Sequence, residues 1–343
     1  MTPRFSPSGA DEHARVPRPP RGVTLAGPGP QDGTVQVMAP TGRPAIATAP
    51  VSARWIDAAV VEGGADLVPP SEATAVVWTQ ADDPGGLADL LAANPQIDWV
   101  QLPWAGIEPY IPLLGHDRTW TCAKGVYADP VAEHALAMLL AGFRHLHAYA
   151  RAETWTDQVG RNLIGARVTI FGGGGIAESL IEMLAPFRCA ITVVRNTPTP
   201  MDGVERVLGP DERMEALRGA DAVVLALPLL PSTEGLIGPD ELAAMEDHAW
   251  LINVARGAHV QTDALVAALA DGTIGGAGLD VTDPEPLPDG HPLWSLPNAL
   301  ITPHTGNTKA MARPLLGARI VENVRRYAAG EPFIGLVDVD AGY

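Results

Sequence analysis

The sequence predicts an α/β protein built on a doubly wound parallel sheet, with a second, smaller α/β part. Three observations carry that expectation. Six short apolar runs recur after residue 166, helical stretches separate most of them, and four consecutive glycines follow the first run. Short continuous apolar runs are typical of strands buried on both faces of a parallel sheet. Strand–helix alternation is how such a sheet is wound.

The runs are "RVTIF" (167–171), "AITVV" (190–194), "AVVLA" (222–226), "AWLIN" (249–253), "GAGLD" (276–280) and "ALIT" (299–302). Helices are expected at 175–186, 211–218, 239–246 and 262–270, whereas "VTDPEPLPDGHPLWSLPN" is proline-rich and reads as a loop. Six strands is the full count for a dinucleotide-binding sheet. Ahead of it, strands are expected at 45–49, 75–79 and 98–102, with helices at "SARWIDAAVVEGG", ended by Gly63, and around 85–93. A helix from 129 to about 150 marks the border. Asp129 reads as its N-cap and Pro130 as its first residue. Val131, Ala135, Met138, Leu139, Phe143 and Leu146 follow at helical spacing. Residues 1 to about 43 are rich in Pro and Gly without periodicity, and read as a flexible extension.

The chain's 343 residues suffice for two domains. With 23 basic against 40 acidic residues the net charge is −17, which excludes partners that need a basic face, nucleic acid and anionic membranes. Cys122 and Cys189 form neither a disulfide framework nor a metal-type spacing, so no metal is expected. No apolar run reaches the roughly 18–20 residues of a membrane span. The N-terminus has no apolar signal core, so a cytoplasmic setting is expected.

Within "VTIFGGGGIAESL" (168–180), Gly172, Gly174 and Ala177 fill the G-x-G-x-x-G/A positions of a dinucleotide turn. The helix that follows offers free N–H groups and a partial positive charge to a pyrophosphate. The second strand runs into "VVRNTPTP". There Arg195 stands where an NAD site usually carries an acid. A guanidinium suits a 2′-phosphate, so NADP(H) is favoured, with NAD(H) possible.

Ligands of such sheets bind beyond the carboxyl ends of the strands. Arg256 follows the fourth strand, Asp280 and Glu285 the fifth, His304 the sixth. Reduction of a keto acid needs these groups together. An arginine grips the substrate carboxylate and polarises the carbonyl. A histidine donates the proton, and a carboxylate orients the imidazole and favours its charged form. Glu133, His134, His145 and His147 on the border helix read as ordinary helix residues, because adjacent and i,i+2 positions share no face.

"NVARG", "LDVTDPEPLP" and "LPNALITPH", in this order behind the glycine turn, resemble the D-isomer-specific 2-hydroxyacid dehydrogenases over roughly residues 45–343. The resemblance implies a Rossmann domain at 128–307 and a discontinuous, flavodoxin-like substrate domain at 44–127 and 308–343, reached by a return helix around 308–328. It implies catalytic roles for Arg256, Glu285 and His304. It places a nicotinamide cofactor at Gly172, Gly174, Gly175, Ile176, Arg195, the Pro228–Leu229 turn, Ala255, Arg256, Asp280 (at the carboxamide) and His304. Substrate carboxylate contacts fall on Arg256, His304 and the backbone of Ala105, Gly106 and Ile107 in "PWAGIE", with Trp104 as a pocket wall or core residue. Homodimers joined near 129–150 are also implied. Arg195 in place of the acid resembles NADPH-using glyoxylate and hydroxypyruvate reductases, and Glu285 argues against formate oxidation. The expected activity is reduction of a small 2-keto acid to the D-2-hydroxy acid. A dinucleotide-sensing regulatory protein is the alternative. A methyltransferase leaves Arg256, Glu285 and His304 unexplained together.

Overall fold

The computed structural model describes residues 42–342; the extension expected at the N-terminus lies almost wholly outside them. The described residues begin with β1 (Ala45–Ala49), α1 (Arg54–Glu62), β2 (Asp66–Leu67), β3 (Ala75–Trp78), α2 (Pro84–Ala93), β4 (Trp99–Gln101) and β5 (Thr119–Thr121). α1 buries Ile56, Ala59 and Val60 on one stripe and stops at Gly63. α2 is started by Asp83, whose carboxylate accepts from the Gly86 N–H, with Pro84 in the first turn. The five strands pair in parallel in the order β2-β1-β3-β4-β5.

The border helix is two elements rather than one. α3 (Ala128–Phe143) ends at Arg144, His145 adopts φ 51°, and α4 (Leu146–Tyr149) is a single turn. The N-cap is Tyr127, so Asp129 lies inside the first turn, where its carboxylate accepts from Ser179 Oγ at 2.8 Å.

β6 (Arg167–Phe171), α5 (Gly175–Leu184), β7 (Ala190–Val194), β8 (Arg206–Leu208), α6 (Arg213–Leu217), β9 (Ala222–Leu225), α7 (Pro239–Ala244), β10 (Trp250–Asn253), α8 (Thr262–Asp271), β11 (Gly276–Leu279) and β12 (Ala299–Ile301) follow. Every expected strand is present, and β8 makes the sheet one of seven strands, ordered β12-β11-β10-β9-β6-β7-β8, all parallel. Alternate residues feed opposite faces. Val223, Leu225 and Leu251 join one apolar core, while Val168, Ile170, Val224 and Ile252 join the other with α3 and α5. The chain order reverses between β6 and β9, which opens a crevice at the carboxyl ends there.

α9 (Lys309–Ala329), capped by Thr308 and ended by Gly330 at φ 68°, returns to the five-stranded sheet. Its Ala312, Leu316, Ile320 and Val324 pack with Ile46, Val77, Trp99 and α1. A buried polar knot fixes it. Asn323 Nδ2 donates to Gln101 Oε1 at 3.0 Å, Thr121 Oγ1 donates to the same oxygen at 2.9 Å, and Trp99 Nε1 donates to Thr121 Oγ1 at 2.8 Å. Fully satisfied buried networks of this kind specify one packing arrangement.

Candidate active site

The glycine turn sits at the crevice. Gly172 has φ 104°, and a Cβ there would stand 2.1 Å from the Ala226 carbonyl oxygen, so only glycine carries β6 past β9 at this point. Gly174 is the N-cap of α5 and Gly175 its first residue, while Ala177 is fully buried in the third position of the motif. A Cβ on Gly174 would meet nothing within 4 Å, and among the described residues no group accepts from the Gly175 or Ile176 N–H. Arg195 follows β7 and leans over the turn. A Cβ on Gly173 would be 2.9 Å from its Cδ and 3.1 Å from its Nε. Ile176 is half-buried beside it. The Pro228–Leu229 turn after β9 is held by Thr233 Oγ1, which donates to the Pro228 carbonyl at 2.9 Å. Ala255 donates its N–H to Asn253 Oδ1 at 3.1 Å. An open helix N-terminus with a cation beside it is a donor set that fits a phosphorylated dinucleotide.

Arg256, Glu285 and His304 leave the carboxyl ends of β10, β11 and β12, three neighbouring strands. At about 4.8 Å per strand, those ends span roughly 10 Å. His304 Nδ1 lies 2.7 Å from Glu285 Oε1, with both side chains about half exposed. An ionised carboxylate only accepts, so Nδ1 carries the hydrogen and Nε2 is left for other partners. His304 itself holds φ 51°, a costly conformation for a residue with a Cβ.

Asp280 is what holds it. The carboxylate, expected at the nicotinamide, is 4% exposed and enclosed by its own chain. Oδ1 accepts from Thr302 Oγ1 at 2.6 Å and the Thr305 N–H at 2.8 Å, Oδ2 accepts from the Gly306 N–H at 2.9 Å, and the Asp280 carbonyl accepts from the His304 N–H at 2.8 Å. Burial opposes the charge, but hydrogen bonds from His134, Thr302, Thr305 and Gly306 outweigh it and hold the carboxyl at about 2. The 302–306 turn is thus wrapped around this one side chain. His134, read from the sequence as an ordinary helix residue, belongs to the same cluster. Its Nε2 is 3.0 Å from Thr302 Oγ1 and 3.3 Å from Asp280 Oδ1. His134 is not among the fully buried residues of α3, such as Ala132, Ala135, Met138 and Leu139, so helical periodicity did not single it out.

Arg256 reaches across to the loop after β4. A Cβ on Gly106 would lie 2.0 Å from its Nη2, so the guanidinium rests on that glycine. Nε donates to Glu108 Oε1 at 3.0 Å and Nη1 to the Ala255 carbonyl at 2.8 Å. Among the described residues, no group accepts from the N–H groups of Ala105, Gly106 or Ile107. Three successive open donors beside a guanidinium suit a carboxylate. The Ile107 side chain is 3% exposed and anchors the loop in the core. Glu108 had no role in the sequence reading. Beside this loop, at the carboxyl ends of β3 and β4, lies a cavity of about 90 Å³ walled by Trp55, Trp78, Trp104, Leu316 and Ile320. Trp104 is a wall residue, 37% exposed. Among the described residues no cluster suits a metal, and no helix is long and apolar enough to cross a membrane.

The chain resembles known proteins in sequence and fold. Residues 134–306 match the model of the D-isomer specific 2-hydroxyacid dehydrogenase NAD-binding domain. The "Uncharacterized protein in proB 3'region" of Corynebacterium melassecola is 41% identical over 256 residues, covering 72% of this chain and 84% of that protein. Glyoxylate/hydroxypyruvate reductase A of Serratia proteamaculans is 32% identical over 63% of this chain and 69% of its own length. A D-isomer specific 2-hydroxyacid dehydrogenase from Xanthobacter autotrophicus Py2, solved in complex with NADPH and MES, superposes with a TM-score of 0.76 at 29% identity, covering 88% of this chain and all of that one. The chain therefore belongs to the D-isomer specific 2-hydroxyacid dehydrogenase family, and is an NAD(P)-dependent oxidoreductase acting on the CH–OH group of its donors.

Proposed function

We propose that the chain reduces a small 2-keto acid of the glyoxylate or hydroxypyruvate type to the D-2-hydroxy acid, with NADPH preferred over NADH. The observation that carries this reading is the placement of Arg256 against Gly106, beside three open N–H groups. That loop and Arg256 together bind the substrate carboxylate and polarise the adjacent carbonyl. His304, tied through Nδ1 to Glu285, holds a proton on Nε2 and gives it to the carbonyl oxygen. Glu285 balances the imidazolium charge before the transfer. The cofactor, when bound at residues 172–176, Arg195, Pro228–Leu229 and Ala255, supplies the hydride that completes the C–H bond. Asp280 organises the turn that carries His304.

In this reading residues 128–307 hold the dinucleotide, and 44–127 with 308–343 hold the substrate. Preference for NADPH is supported by Arg195 over the glycine turn and by the NADPH-bound Xanthobacter structure. A homodimer is proposed on the exposed apolar side chains Leu146, Trp155, Val159 and Ile164, which follow α3 rather than lie on it.

The test is NADPH oxidation over a panel of 2-keto acids, beside His304→Ala. Wild type turns over glyoxylate or hydroxypyruvate, and the variant loses about a thousandfold in kcat. Full-rate turnover in the variant overturns the role of His304, and no turnover by wild type on any keto acid overturns the reading.

A further inference from the structure

Arg256 is held by a group that the reaction itself does not require. Its Nε–H points at Glu108 Oε1 (3.0 Å), Nη1 spends one hydrogen on the Ala255 carbonyl (2.8 Å), and Nη2 faces Gly106. The same imaginary Cβ on Gly106 that would strike Nη2 would lie 2.6 Å from Glu108 Oε2. Arginine and glutamate are therefore laid side by side over one glycine. Glu108 opens the 3₁₀ turn Glu108–Leu113, directly after the loop with the open N–H groups, while Arg256 comes from the other sheet. The pair joins the two halves at the point where the substrate carboxylate is placed.

We propose that Glu108 is a positioning residue for Arg256, and that its carboxylate takes the Nε edge so that Nη2 is presented to the substrate carboxylate beside the 105–107 loop. The inference rests on the proposed keto-acid reductase reading. A guanidinium has five N–H groups in a rigid plane, so fixing one edge fixes the direction of the others. A carboxylate so close to an anion site is otherwise hard to reconcile with binding an acid, because like charges repel. Engaged on Nε, its charge is matched by Arg256 and its geometry serves the grip. Both side chains are about one-third exposed, so the pair is there to orient more than to stabilise.

The experiment compares wild type, E108A, E108Q and the control R256A in NADPH-dependent reduction of glyoxylate and hydroxypyruvate. In E108A, KM for the keto acid rises about tenfold, the loss expected for a misaligned anchor. KM for NADPH stays within a factor of about two, and kcat falls less than KM rises. E108Q keeps an oxygen that accepts from Nε and restores most of the KM. Should E108A fail to fold, E108L keeps the stem without an acceptor and carries the same expectation. An unchanged keto-acid KM in E108A overturns the inference. So does a lowered KM, which would make the carboxylate a competitor of the substrate. If wild type itself turns over no keto acid, the reductase reading fails first. If wild type is active, R256A is dead and E108A is normal, only the role of Glu108 fails.

Discussion

The two sheets of this molecule spend their polar groups differently. In the five-stranded half the buried polar groups are neutral and inward: Gln101, Thr121 and Asn323 satisfy one another beneath α9. In the seven-stranded half Arg256, Glu285 and His304 gather on the carboxyl ends of three adjacent strands, and two of the three stay substantially open to solvent. The first arrangement fixes how a helix returns to its sheet. The second leaves an imidazole nitrogen and a guanidinium edge for something outside the chain. Burial with full satisfaction marks a structural network, and partial exposure with unused donors marks a reactive one. Asp280 stands between the two, a buried charge whose satisfaction serves the exposed histidine three residues past Ile301.

Three substitutions press on that contrast. Glu285→Gln keeps an acceptor for Nδ1 but removes the charge. It should lower kcat about a hundredfold in reduction of the preferred keto acid, with the midpoint of thermal unfolding unchanged. A stable loss of turnover keeps Glu285 on the reactive side, and a melting shift without a kinetic one moves it to the structural side. Asp280→Asn should do the reverse first. The carboxyl is depressed from 3.8 to about 2 in the folded chain, so its contribution is complete above 3.8 and is lost as pH falls towards 2. That shift corresponds to about 2 kcal/mol at neutral pH. Urea unfolding at neutral pH should show the loss, and the gap between wild type and variant should shrink below about pH 3.8 and close as pH falls through about 2. An equal gap at both pH values would show that the charge of Asp280 does not hold the turn. The smallest effect is expected at Arg195→Ala, with KM for NADPH up about tenfold and KM for NADH nearly constant. Equal changes for both cofactors would reduce Arg195 to a packing residue over Gly173.

The regular parts of the fold were legible because their signal is apolar and repetitive. All six runs after residue 166 became strands of one sheet, and the 45–49, 75–79 and 98–102 segments became strands of the other. The strands that went unread are β2, β5 and β8, of two or three residues each, all three at sheet edges where one side of the ladder needs no partner. The border helix was read too long because nothing between Phe143 and Leu146 is a breaker. The turn is made by His145 at positive φ, a conformation that few residues other than glycine adopt. Arg256, Glu285 and His304 were singled out because strand ends in a parallel sheet point the same way. Glu108 and His134 were not, because their partners lie 148 and 168 residues away in sequence, at Arg256 and Thr302. Only the three-dimensional path of the chain brings them together. Asp280 was singled out for a nicotinamide contact, and what the sequence did not reveal is that its two oxygens accept from Thr302, Thr305 and Gly306 of the turn that carries His304.

The return of α9 has a bearing on how the molecule comes into being. The seven strands between Arg167 and Ile301, with α3 beneath them, form one unbroken stretch of chain, so their core closes as soon as that stretch is made. The five strands that precede them are synthesised first and finished last. Trp99 and Ile46 wait for Leu316, Ile320 and Tyr327 to cover them, and Gln101 waits for Asn323. A chain that stopped short of Lys309 would possess every strand of both sheets and still expose one face of the sheet it began with. The helix that completes the first sheet emerges only after the whole of the second.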